Sequence, residues 1–189
     1  MKLTSEQIVQ NWERLINVIE TEFTGERKDK LLSMYKDLEE RMCMAPASSF
    51  SHYHNCMPGG YVDHVLRVIE CAQEVYDLWT RMGADMSGYT KEELIFVALN
   101  HDIGKMGFPG EGNEIYQPND SEWHRKNLGK EYKINPNNPF TLVNDLSIWL
   151  LQHYGIEITW NEMLGIKLTD GLYDESNKPY YISRTADSK

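Results

Sequence analysis

Three cysteines, Cys43, Cys56 and Cys71, are too few and odd in number for a disulfide framework, and none has the C-x-x-C spacing of a structural zinc knot. A reducing cytosol is the compartment this usage implies. The chain lacks any apolar run approaching the ~20 residues that span a bilayer. Its opening residues, MKLTSEQIVQNWERL, hold no apolar stretch of signal-peptide length. A cytoplasmic protein with no membrane contact is therefore expected. Positive charge is scarce too, since 19 Lys and Arg face 29 Asp and Glu for a formal net charge of −10. Such a surface repels long DNA or RNA before contact forms, whereas a small anion drawn in by a metal ion remains an acceptable partner. Repeats, low-complexity tracts, Gly/Ser linkers and sustained strict alternation are all missing, so neither a repeat array nor an extended sheet is expected.

What is present reads as helices. Thr4 to Gln7 has the capping-box pattern, followed by Ile8, Trp12, Leu15, Ile16 and Ile19 at helical spacing, which predicts a first helix to about Glu22. A second runs from near Arg27 to Met44, with Leu31, Leu32, Tyr35, Leu38 and Met42 on one stripe and Pro46 behind it. Residues 47–60 read as a loop, and a third helix then carries Val62, Val65, Leu66, Ile69 and Ala72 towards Gly83. Thr90 to Glu93 caps a fourth, whose LIFVALN run is apolar nearly all round and marks the buried centre. Gly104 stands where a helix stops by entering the left-handed region. Residues 107–138 form a Gly, Pro and Asn rich excursion with at most a short helix over 122–132. Leu142, Leu146, Trp149, Leu150 and His153 mark a fifth helix, and Thr159 to Glu162 caps a sixth that ends near Leu168. The expected fold is an all-α bundle of about six main helices in one domain over 1–189, with N-terminal helices over 1–45 and a metal-site core over 58–189.

The chemistry concentrates at the end of the buried fourth helix, where His101 and Asp102 are followed by Ile103, Gly104 and Lys105. A carboxylate there costs several kcal/mol to desolvate unless it is paired or bound to a cation. Imidazole and carboxylate together suit a borderline or hard divalent ion, and Mn, Fe, Co, Ni, Zn and Mg all satisfy that description. His64 lies 37 residues earlier, a gap that a helix, a turn and an antiparallel helix would span. His64, His101 and Asp102 are the expected ligands of one such ion.

These segments resemble the HD-domain metal-dependent phosphohydrolases. GGYVDH, ending at His64, is similar to the segment bearing that family's first histidine, and ALNHDIGK, from Ala98 to Lys105, to its His-Asp doublet. SHYHNCMPGGYVDHVLRV, ending at Val68, is similar to members whose His and Gly-Gly rich loop leads into the first ligand. SIWLLQHYGIEITWNEMLGIKLTDG resembles the later helices. The likeness covers about two-thirds of the chain. It implies a bundle of the HD type that hydrolyses a small phosphate ester, a nucleotide by family preference, through metal-activated water. Asp102 would ligate and orient that water, and Lys105 would contact the substrate phosphate. Two departures stand out. Leu142 and Thr169 occupy places where some members have two further histidines, which points to one metal and away from the di-iron oxygenases of the same fold. The family's last Asp ligand is expected on a helix after Tyr181, and Asp187 comes too early in the chain for it. Either the chain stops short of that helix, or the fourth position is filled by water, substrate or another residue. That gap supports a rival expectation, a catalytically degenerate domain that binds a nucleotide or a partner protein.

Trp123, His124, Arg125, Lys126, Lys130 and Lys133 form a basic patch in an acidic chain. His124, Arg125 and Lys126 are candidate substrate-binding residues that would steer an anion to the metal, with a solvated helix face as the competing reading. His153, on a stripe with Leu146, Trp149 and Leu150, reads as a hydrogen-bonded core histidine. His52 and His54 stand before a tight loop as candidates to border the cleft, without an assigned chemical role. Nine Met and five Trp read mostly as core material. A homo-oligomer is compatible with all of this.

Overall fold

All three threonine signals start helices in the computed structural model, which describes residues 2–182. Asp187 lies outside the described residues. Thr4 opens α1 (Ser5–Glu22), Thr90 opens α5 (Lys91–Asn100) and Thr159 opens α8 (Trp160–Lys167), each with the reciprocal box complete. At Thr4 the hydroxyl accepts from the Gln7 amide at 3.2 Å and the Gln7 side chain accepts from the Thr4 amide at 2.8 Å, so two otherwise unpartnered N–H groups are satisfied.

The predicted second helix is two, α2 (Gly25–Asp37) and α3 (Glu39–Met44). The break falls at Leu38 (φ −98°, ψ 4°) and re-aims the chain while Leu38 and Met42 both stay in the core. It also carries Arg41 to the carbonyls of Met106 at 3.0 Å, Phe108 at 2.7 Å and Gly110. Tertiary contacts of this kind outweigh the modest preference for one continuous helix.

Helix α4 (Gly60–Arg81) packs against α1 on one side and α5 on the other, and α5 packs in turn against α8. Ile95, Phe96, Ala98 and Leu99 of α5 are all buried, as the apolar run requires. Each large side chain so placed contributes about 1.5–3 kcal/mol relative to exposure. A single apolar cluster runs from Trp12 through α5 to Ile166 of α8. Gly165 is needed where those last two helices meet, because a Cβ there would lie 2.7 Å from the Val97 side chain.

A 3-10 turn (Ile103–Met106) follows α5 and docks on α7 (Val143–His153). Gly104 serves this docking, which corrects its expected role as a left-handed cap. Its φ is not positive, and a Cβ would meet the Val143 carbonyl oxygen at 2.2 Å. Close helix approach, rather than backbone handedness, demands the glycine.

The excursion is more ordered than expected. It holds β1 (Tyr116–Pro118) and β2 (Tyr132–Ile134), antiparallel with Gln117 opposite Lys133, around α6 (Glu122–Leu128). The expected helix over 122–132 stops at Leu128, since Gly129 adopts φ +64° and its amide returns to the Arg125 carbonyl at 3.1 Å. After α8 the chain makes two 3-10 turns and α9 (Lys178–Ile182). The described residues are thus mostly helical, with only this two-stranded ribbon. None of the helices is long and apolar enough to cross a membrane.

Two expectations about side chains fail. Of the five tryptophans only Trp12 is buried; Trp79, Trp123, Trp149 and Trp160 are exposed. His153 is not a core residue but lies exposed against the Trp149 ring, centroids 5.0 Å apart and nearly parallel. A helical stripe specifies a direction; whether another element covers it is decided by the rest of the chain.

Candidate metal centre

His64 stands on the second turn of α4, and His101 caps α5, with Asp102 next in the chain at φ −112°. The change of backbone direction after His101 lets two adjacent side chains converge, which neighbours inside a helix, about 100° apart, do not do. His64 Nε2 lies 3.2 Å from His101 Nε2, His64 Nε2 is 3.4 Å from Asp102 Oδ2, and His101 Nε2 is 3.3 Å from the same oxygen. These are the three donors that the described residues bring together as a potential metal-binding group. A tetrahedral site with ligands at about 2.0–2.2 Å places its ligand atoms about 3.3–3.6 Å from one another. The triangle is of that size.

The hydrogen bond from His101 Nδ1 to the Ala98 carbonyl, 2.9 Å, fixes which nitrogen carries the proton. A carbonyl only accepts, so neutral His101 presents the lone pair of Nε2 to the triangle, the arrangement found when a second partner orients a metal ligand. Deeper down, the Tyr35 hydroxyl faces the Leu99 carbonyl at 3.0 Å and the Asn100 side chain at 3.2 Å, securing the end of α5 from below.

Asp102 is buried, and burial by itself would push its carboxyl pKa up. The neighbouring His101 and His64 and the Lys105 ammonium outweigh it and hold the group well below the usual carboxylate range. Lys105 Nζ donates to Asp102 Oδ2 at 2.5 Å and to the Ala47 carbonyl at 2.8 Å. The lysine therefore belongs to the centre rather than to the surface, its side chain being 12% exposed.

Three contributors were not assigned in advance. The His54 ring lies against that of His64, centroids 4.6 Å apart, on the exposed side. Its pKa is lowered by partial burial and by the neighbouring His64 and Lys105. Ser147, fully buried on α7, accepts from the Gly104 amide at 2.8 Å and faces the His101 carbonyl at 3.2 Å, clasping the ligand turn to the next helix. A polar residue within an apolar stripe was its only trace in the sequence.

Asp170 is the third. Helices α5 and α8 run parallel with a constant offset of 68 residues, which pairs Asn161 with Glu93 by hydrogen bond and Gly165 with Val97 by close contact. Counted on past Lys167, where α8 ends, the same offset sets Thr169 and Asp170 against His101 and Asp102 in number; Asp170 is exposed and lies outside the three-donor group. The Tyr116 phenol registers both carboxylates, its pKa being pushed up to about 12 by burial and then by Asp102, Cys56 and Asp170.

His124, Arg125 and Lys126 sit on the exposed α6. Arg125 donates to the Asn119 carbonyl, and Lys126 pairs with Glu122 at 2.5 Å on the same helix. Among the described residues no hydrogen bond or ion pair joins the three to His64, His101, Asp102 or Lys105. Nor is the patch uniformly basic in its setting, because Lys133 is paired with Asp120 at 2.7 Å. Leu142 and Thr169 are partly exposed apolar and exposed polar residues, respectively, and neither supplies an imidazole.

No family model, curated protein or solved structure matches the chain. What the fold and site define is a mostly helical protein with a buried His-His-Asp triangle at one helix end.

Proposed function

We propose that His64, His101 and Asp102 hold one divalent metal ion and that the protein hydrolyses a small phosphate ester beside it. The single observation that carries this reading is the triangle of two imidazole nitrogens and one carboxylate oxygen, 3.2–3.4 Å on each side, with the Lys105 ammonium next to it. Two imidazole nitrogens and a carboxylate oxygen suit Mn, Fe, Co, Ni, Zn or Mg, and the donor set does not choose among them. A bound ion would supply Lewis acidity and a water of lowered pKa.

The chain's own groups do the rest. His101, oriented through Ala98, and His64 face the same point. Asp102, whose carboxyl pKa is held low, would ligate and could also orient the water. Lys105 is within reach of any phosphoryl oxygen held next to Asp102, where its charge would offset the negative charge that develops on the leaving oxygen. Asp170 is the residue we nominate to complete the carboxylate set, because it and Asp102 both act on the Tyr116 phenol. The nucleotide preference and the HD-type assignment rest on the resemblance of GGYVDH and ALNHDIGK.

A second reading, a binding domain without turnover, is favoured by one feature: the triangle itself offers three donors rather than four. A di-iron oxygenase needs more ligands than the described residues assemble. Chelator-treated protein should be reloaded with each of the six metals, analysed for metal content, and assayed against phosphomonoesters and phosphodiesters. We expect one metal per chain and turnover that vanishes in Asp102→Ala. Metal or ligand binding without turnover across all six metals would establish the binding domain instead, and two irons per chain would establish the oxygenase.

A further inference from the structure

The wall of the cavity next to the centre carries information about the substrate's other end. A cavity of about 720 Å³ is lined in part by Lys105, whose ammonium contacts Asp102, while His64, His101 and Asp102 do not themselves line it. That volume is in the range that takes a small organic ligand. Tyr116 and Tyr132 give it aromatic surface, and Leu38, Met44 and Met106 give it apolar surface. Its charged wall is lopsided, with Asp37, Glu40, Glu111 and Glu114 set against only Arg41 and Lys105.

Both cations are already committed. The Arg41 guanidinium donates to the carbonyls of Met106, Phe108 and Gly110, which builds the wall rather than exposing a charge. Lys105 is held by Asp102 and the Ala47 carbonyl. Anything bound beyond the first phosphate therefore meets aromatic rings and a wall on which four carboxylates face two cations. Two or three phosphates in a row would place further negative charge against that wall, where Coulomb repulsion opposes binding and is screened at the exposed Asp37, Glu40 and Glu111.

We propose that this cavity selects phosphate monoesters whose organic part is neutral or cationic and carries an apolar or aromatic body, and that it rejects polyphosphates and acidic esters. The inference rests on the hydrolase reading for its chemistry and on the proposed metal for its probes, but its test needs no turnover. Two hydrolysis-resistant probes of equal size separate the charge effect, 4-(aminomethyl)phenylphosphonate and 4-carboxyphenylphosphonate, titrated calorimetrically into the manganese-loaded protein. The aminomethyl probe should bind at least about tenfold more tightly. In Glu40→Gln/Glu114→Gln, at positions that are not core residues, the preference should fall below about threefold, with an unchanged melting curve and weaker salt dependence. Equal affinities in the unaltered protein, a preference that survives the double substitution, or no binding of either probe overturns the proposal. A charge preference that disappears in the variant upholds it even where phenyl phosphate is not hydrolysed with any metal, which would defeat only the hydrolase reading. Hydrolysis of acidic and cationic phenyl phosphates at equal rates defeats the proposal and leaves that reading standing.

Discussion

The end of α5 and the excursion over 107–138 meet across Arg41 and Lys105, yet they are held together by different forces. Around His101 and Asp102 the backbone is gripped by close helix packing, with Gly104 pressed onto α7 and Gly165 onto α5, and few atoms are free to shift. The excursion has no buried apolar layer of its own. It is organised by asparagine side chains that stand in for missing secondary structure, Asn119 donating to the Lys130 carbonyl at 2.8 Å, Asn135 to those of Gly112 and Glu114, and Asn138 to that of Asn113. A region built from packing loses more when a small group is added than when one is removed. A region built from amide-to-carbonyl hydrogen bonds fails at the single donor that is deleted.

The comparison breaks hardest at Gly104. Gly104→Ala sets a methyl 2.2 Å from the Val143 carbonyl oxygen and should destabilise the fold by about 1–3 kcal/mol in urea titration, with metal affinity reduced in parallel. Unchanged stability would mean that α7 can give way, and that the centre is not rigidly mounted. Asn135→Ala strips a buried donor and should cost about 1–3 kcal/mol, but locally. Hydrogen exchange should quicken over 112–118 and 132–138 while α5 stays protected and the metal still binds. Quickening that spreads into α5 would show the two regions to be one cooperative unit.

Acid should separate the regions next. Asp102 has a folded pKa well below its ordinary value of 3.8, so its contribution to stability is fully present above that value and is lost as pH falls through the depressed folded value. Unfolding of metal-free protein followed below pH 4 should therefore lose a component in the unaltered chain that Asp102→Asn does not lose; parallel curves would remove the carboxylate from the stability of the helix end. The smallest effect belongs to the surface of α6. Lys126, paired with Glu122 where both side chains are mostly exposed, should leave the urea midpoint unchanged on replacement by Ala. A large rise in KM for Lys126→Ala would instead restore α6 as a substrate-binding face.

Much of this was legible in advance, and the reasons differ from residue to residue. The three capping boxes were readable because both partners lie three residues apart and nothing distant competes with them. His64, His101 and Asp102 were readable because a carboxylate and histidines at a buried helix end are costly without a cation. Leu38 was misread as mid-helix because the break there answers to Arg41 and the 106–110 carbonyls, far away in sequence. The contacts of His54 and Ser147 were not legible, since each is made with a neighbour on another element. The excursion's ribbon went unseen because strands of three residues leave almost no periodic trace.

By itself, then, the sequence determined that the chain is mostly helical and where the three threonine-capped helices begin, consequences of contacts within a few residues. Tertiary structure decided how α5 and α8 are registered, why Gly104 must be glycine, which tryptophans are left in water, and that His64 reaches His101 at 3.2 Å. These depend on the separation and register of whole helices. The interlocking of many side chains sets that register, and no short stretch of chain encodes it.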